Sequence, residues 1–251
     1  MHTYTSRADV EAVLTDPTFV VPPEPPGPGA MAWLRVHVAR FSAGEEHARR
    51  RRLVTELLDA LDPAHLRASA HAAARAGTPT ELIPAEVLTT ALGLPGTADL
   101  VATAASGYLP GGAQGPEVDA AVGALRARLT RPTGDASAPD PHTRRNGDDE
   151  AVAARIGLLL QANNATVALI RAAASRDGDL DAALRDDPPA KHTRRRAPTG
   201  EPLTLDLASA GLPWGAGPHA CPGQAHARAL AQGALAGARP PKIATGDTPA
   251  T

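Results

Sequence analysis

Trp214-Gly-Ala-Gly-Pro-His-Ala-Cys-Pro-Gly223 holds the only cysteine among 251 residues. A thiol that ligates a metal does so as thiolate, and the anion needs hydrogen-bond donors and positive charge around it. Gly215, Gly217 and Gly223 leave room for backbone N–H groups to close around the sulfur. Other readings of the loop stand beside this one. A lone cysteine is most often a small buried hydrophobe. It cannot form a disulfide within the chain, and one Cys beside one His is too few ligands for structural zinc. Gly215-x-Gly217-x-x-Ala220 imitates a dinucleotide fingerprint, but Pro222 follows at once and the acid expected about 20 residues further on does not occur.

Composition narrows the choices. The chain is 43% hydrophobic with a net charge of −2, enough for one substantial core and with no general attraction to nucleic acid or membrane. Its best apolar stretch, residues 156–170, is interrupted by Gln161, Asn163 and Asn164, and residues 1–11 lack the apolar run of a signal peptide. A cytoplasmic protein is the expectation, and a single cysteine fits a reducing compartment. Aromatic residues make up only 2%, so Ala, Leu and Val must build the core.

Upstream of the cysteine lie three more informative stretches. Phe41-Ser-Ala-Gly-Glu-Glu-His47-Ala-Arg-Arg-Arg51-Arg-Leu-Val54 places His47 and Arg51 four apart, on one helix face, where two donors could hold carboxylates by charge-assisted hydrogen bonds. Alternatively Arg49 to Arg52 form a solvated basic face, although Leu53, Leu57, Leu58 and Leu61 extend a core-facing pattern. Gly157-Leu-Leu-Leu-Gln161-Ala-Asn-Asn-Ala-Thr166-Val-Ala-Leu-Ile170 sets polar groups inside an apolar helical run, where each needs a partner once buried. The hydroxyl of Thr166 has its own helix carbonyls as one such partner. Leu180 to Arg196 reads as a helix and then a strand ending in a run of arginines.

Taken in order, these stretches resemble the cytochrome P450 family. The cysteine loop matches its haem-ligand pattern of aromatic, Gly, His or Arg, Cys and Gly, with Trp214 in place of the usual Phe. Residues 41–54 resemble the helix that crosses one haem face, residues 150–175 the distal helix, and residues 180–196 the helix of the ExxR motif and the strand that follows it. The resemblance implies a mainly α, truncated P450-like fold with little β-structure. It would span residues 1–238 as one domain, without the N-terminal portion and the meander, and would end in a disordered tail over 239–251. It implies haem b with Cys221 as axial ligand, His47, Arg51, Arg195 and His219 at the propionates, and Trp214 and Gly217 shaping the loop. Thr166 would help deliver protons. The implied activity is monooxygenation of a small organic molecule with electrons from a ferredoxin-type donor.

Departures from the family pattern keep two further functions in view. Ala182 occupies the glutamate position of ExxR, so Arg185 loses its partner unless Asp181 substitutes. Asn164 stands where an acid is usual, and an amide does not relay protons as a carboxylate does. Leu212 runs directly into Pro213, with no meander between. A degenerate accessory or binding protein fits these losses, as does a haem enzyme of non-oxidative dehydration or rearrangement. Trp214 adds an expectation of its own: an indole N–H donating toward the sulfur would raise the iron potential relative to Phe.

The remaining segments are local in what they predict. Residues 4–19 read as a helix ended by Asp16-Pro17, residues 21–29 as an irregular loop with five prolines, residues 81–95 as a packing helix, and residues 99–131 as one or two Ala-rich helices broken at 110–112. Residues 132–149 have no apolar period and read as a mobile loop.

Overall fold

Helix caps and apolar stripes fix most of the elements. The structure, a computed structural model, describes residues 2–109, 111–113, 115–130 and 141–238, the side chains of 141–148 excepted. Helix α1 (Arg7–Thr15) starts where the Ser6 hydroxyl accepts from the Asp9 N–H, and it buries Val10, Val13 and Leu14. It is shorter than the sequence predicts, because Tyr4 ends strand β1 (His2–Tyr4) instead of opening the helix. Next come α2 (Ala30–His37), a 3-10 turn (Ala39–Phe41) and α3 (Gly44–Asp59). Helix α4 (Pro63–Arg75) is capped by the Asp62 side chain with proline in its first turn, where the missing N–H costs nothing.

Helices α5 (Ile83–Ala91), α6 (Ala98–Tyr108) and α7 (Pro116–Leu129) follow, the last two being the Ala-rich pair expected on either side of 110–112. Helix α8 (Pro141–Ala174) begins before the predicted start at Glu150. Residues 141–149 are therefore helical and not loop, while 132–140, like the tail 239–251, lie outside the described residues. Proline at the head of α8 is a helix start as well as a loop marker, which is why composition alone misled there. Helix α9 (Leu180–Asp186), strands β2 (His192–Arg196) and β3 (Pro202–Asp206), a second 3-10 turn (Gly217–His219) and α10 (Gln224–Ala238) complete the described residues.

Two cores result. The larger joins α2 to α10 and includes Leu34, Leu66, Leu88, Leu125, Ile156, Leu159, Leu169 and Leu230. With so few aromatics, close backbone approach supplies part of the packing: a methyl at Gly233 or Gly237 of α10 would run into the Arg67 and His71 carbonyls of α4. The smaller core seats α1 on a three-stranded sheet of order β1-β3-β2, with Val10, Val13 and Leu14 against Leu203, Leu205 and Leu207. Strand β1 runs parallel to β3, pairing Thr3 with Thr204, and β2 runs antiparallel to it, pairing Arg195 with Leu203. Among the described residues no helix is long and apolar enough to cross a membrane.

Candidate functional site

The cysteine loop is reached from β3 by consecutive turns and not by a long irregular segment. Asp206 accepts from the Ser209 N–H and hydroxyl, Gly211 N–H donates to Ala208 O, Leu212 N–H to Leu207 O, and Gly215 N–H to Leu212 O. The Cys221 N–H then donates to Trp214 O at 2.8 Å and closes the loop. Gly217 has φ +64°, and a side chain there would collide with the Leu14 carbonyl at the end of α1. The loop is thus seated on the small core, and its last residues lead into α10.

Four residues expected at the propionates gather around this loop. From α3, His47 stacks on His219 with ring centroids 3.8 Å apart, and Arg51 donates to Ala220 O. Arg195 projects from β2 and is 3% exposed; its guanidinium finds Thr193 Oγ1 at 3.3 Å and its neighbour's carbonyl at 2.9 Å, but no carboxylate among the described residues. Burial draws its pKa down to about 10, and the positive charge of Arg40 adds to the effect. His219 falls to about 3, chiefly through burial and then through His47, Arg195, Arg51 and Arg40. His47 is lowered by burial, Arg51 and Arg195. Burial pushes the Cys221 thiol up, against a hydrogen bond from the Gly223 N–H and the charges of Arg51 and Arg40.

The rest of the basic run goes elsewhere. Arg49 binds Glu150 of α8 in a bidentate pair at 2.8 and 2.7 Å, and buried Arg50 reaches the same carboxylate at 3.0 Å. Arg52 is exposed, and Arg49, though paired, keeps a side chain 52% exposed, so these two carry what the solvated reading required. Asp181 does not stand in for the missing glutamate: it pairs with Arg228 of α10 at 2.7 Å, while Arg185 turns to its neighbour Asp186 at 3.0 Å. One helical position shifts the carboxylate to a different face, which is why Asp181 cannot adopt the lost geometry.

Thr166 is 1% exposed on α8, and among the described residues its hydroxyl has no hydrogen-bond partner, so it does not bond back to its helix. The side-chain oxygen of Asn163, one turn earlier, is likewise buried and unpartnered. Asn164 spends its amide on Ala105 O of α6 at 2.8 Å. No hydrogen bond or charge interaction joins Thr166 to the cysteine cluster. Trp214 packs at the edge of the large core, and among the described residues its indole makes no hydrogen bond to the sulfur, so the donor expected from it is replaced by the Gly223 N–H.

No family model and no curated protein matches this sequence. Solved structures do match. A thermophilic cytochrome P450 from Sulfolobus tokodaii aligns over 93% of this chain and 85% of its own, with a TM-score of 0.75 at 17% identity. CalO2 aligns over 93% and 81%, with a TM-score of 0.73 at 16% identity. CYP109E1 from Bacillus megaterium, solved with testosterone, aligns over 93% and 82%, with a TM-score of 0.64 at 19% identity. The fold is that of a cytochrome P450.

Within the P450 fold the donor set can be compared with haem directly. Among the described residues no group of three or more His, Cys, Asp or Glu side chains could hold a bare ion. One thiol suits instead a metal whose other ligands come from a macrocycle. Buried Arg195 and His47, with half-buried Arg51 and His219 beside them and no acid paired to any of them among the described residues, are a set of donors lacking an anion. Haem propionates are anions of the right kind, so the residues present fit the group.

Sequence reading missed Arg40 and Glu150. Arg40 acts electrostatically on Cys221, His219 and Arg195 from the turn before α3. Glu150 locks α3 to α8.

Proposed function

We propose that this protein is a haem-thiolate oxidoreductase of the cytochrome P450 type. The observation that supports it is a single thiol beside buried Arg195, half-buried Arg51 and the stacked pair His47–His219, with no carboxylate paired to these donors among the described residues. Bound haem b would supply dioxygen activation and oxygen insertion into a small organic substrate, with electrons from a ferredoxin-type partner. Cys221 would be the axial ligand, held by the Gly223 N–H and the fixed turn from Trp214. His47, Arg51, Arg195 and His219 would hold the propionates by charge-assisted hydrogen bonds. Gly217 positions the loop, and Thr166 is the hydroxyl available to move a proton on the distal side. The cytoplasm is the compartment that suits an unpaired thiol.

A second reading, non-oxidative dehydration or rearrangement at the same haem, draws on Asn164. Its amide is committed to Ala105 O and supplies no titratable proton.

Expression with a haem precursor tests both. The reduced protein under carbon monoxide should show the red-shifted Soret band of thiolate-bound haem, and Cys221→Ser should abolish it. A protein that takes up no haem refutes both readings. Dioxygen-dependent product formation with a ferredoxin system selects the first, and turnover without dioxygen or reductant selects the second.

A further inference from the structure

Helix α3 holds the cysteine loop at two points, one on each side of the sulfur. Before it, Arg51 donates to Ala220 O. After it, the contact is made by His226 in the first turn of α10, whose Nε2 lies 3.0 Å from Leu58 O and 3.0 Å from Leu61 O, where α3 ends. Carbonyl oxygens only accept, so Nε2 carries a proton and shares it between the two, a three-centre bond of the kind that satisfies the last carbonyls of a helix. Nδ1 is buried and has no partner among the described residues. That idle nitrogen costs free energy that an apolar side chain would not, so what the ring contributes by hydrogen bonding comes from Nε2 alone.

Between these two points lies Gly223. Its carbonyl accepts the Ala227 N–H at 2.9 Å, the bond that starts α10. A Cβ built on it would stand 3.6 Å from Leu58 Cδ2, so its backbone rests on the same residue whose carbonyl His226 binds. Its N–H donates to the Cys221 sulfur. Gln224 adds a bond from Nε2 to Cys221 O at 3.2 Å. The end of α3, the first turn of α10 and the donor to the sulfur therefore form one contiguous unit, with His226 as its polar link.

We propose that His226 is a positioning residue for the cysteine ligand: its Nε2–H bonds to the Leu58 and Leu61 carbonyls dock the first turn of α10 on α3 and so hold the Gly223 N–H on the Cys221 sulfur. The docking concerns the protein alone. Its consequence rests on the haem-thiolate reading above, because a hydrogen bond to the sulfur draws electron density from the thiolate and raises the potential of an iron bound there.

Amide hydrogen exchange of the full chain, read at Gly223, tests the docking without haem. His226→Leu removes the donor and keeps an apolar side chain, whereas His226→Gln keeps an N–H at similar reach. Gly223 exchange should speed up about tenfold in His226→Leu, the loss of one hydrogen bond, and return toward the parent rate in His226→Gln. Leu205, in β3 and the small core, should be unchanged in both. Equal Gly223 rates in parent and His226→Leu overturn the proposal, and so does a rise shared equally by Gly223 and Leu205, which marks general destabilisation. Should His226→Leu not fold, the parent decides: nitrogen NMR at about pH 8, above the ordinary histidine range, should find the His226 proton on Nε2, and a proton on Nδ1 instead overturns the proposal. In haem-loaded protein the iron potential should fall in His226→Leu and recover in His226→Gln, and an unchanged potential alongside faster exchange overturns the role toward the ligand. A parent that takes up no haem overturns the haem reading itself, while the exchange rates still decide the docking.

Discussion

His47 of α3 and His219 of the cysteine loop stack ring on ring, 3.8 Å between centroids, with both imidazoles held below their ordinary pKa. Burial is the largest cause for each, and the neighbouring cations add to it. Carboxylates arriving beside the pair reverse the second contribution, so the liganded state binds protons more tightly than the free state. Binding of protoporphyrin IX should therefore take up protons and strengthen as pH falls from about 8 toward 6.5, the ordinary histidine value. Calorimetric titration in buffers of different ionisation enthalpy measures the uptake. No uptake at pH 6.5, or the same uptake in His219→Asn, counts against propionates at this pair.

Glu150 joins two cations of α3 to α8 across 101 and 100 residues of sequence. Arg50 and Glu150 have side chains only 7% and 10% exposed, so removing the acid takes from buried Arg50 one of its two carboxylates and leaves Glu46 of its own helix as the other. Glu150→Gln should lower stability by about 2 kcal/mol in urea unfolding, the loss of charged hydrogen bonds whose buried cation keeps another partner. The Arg49 hydrogen bond, opposed by burial and joined by Arg50, holds the Glu150 carboxyl below its ordinary 4.5. Its stabilisation is complete above that value and is lost as pH falls through the folded pKa. Stability of the Glu150→Gln variant should lose less than the parent does on acidification, and parallel curves would disprove the linkage.

The spread of these contacts explains what the sequence could disclose. His47 and Arg51 were legible because helical spacing puts them on one face, and the cysteine loop was legible because its glycines and single thiol have few other uses. The pairs Arg49–Glu150 and Asp181–Arg228 join surface-like charges from distant elements, and no period in the chain announces them. Arg40 sits in a three-residue turn, too short to show a pattern. The start of α8 was hidden because its first turns, rich in Arg and Asp, lack an apolar stripe. The short turns from Asp206 to Gly215 make up for the missing meander locally, through Asp206 and Ser209.

Thr166 separates stability from chemistry. Its buried hydroxyl has no partner among the described residues, so the isosteric methyl of Thr166→Val removes a desolvation cost without opening a cavity. The variant should melt at the same temperature as the parent or be stabilised by up to about 1 kcal/mol. If Thr166 moves protons during oxygen activation, the same change should lower the fraction of reducing equivalents that ends in product and raise peroxide release. A destabilised variant would show that the hydroxyl has a partner in solution, and unchanged coupling would remove its proposed role.

Gly217 is where loop geometry and the small core meet. At φ +64° a side chain is strained, and at this site it would also strike the Leu14 carbonyl of α1, so backbone must move. Gly217→Ala should cost more than about 1 kcal/mol, beyond the usual cost of alanine at a left-handed position. The movement would loosen the turn that places His219 on His47 and the Cys221 N–H on Trp214 O. Native-state alkylation of Cys221 should accelerate in Gly217→Ala, while Gly200→Ala, at a similar φ of +88° with open space around it, should pay the strain alone and leave the thiol protected. Equal alkylation rates in the two variants would show that the contact with α1 does not hold the cysteine loop in place.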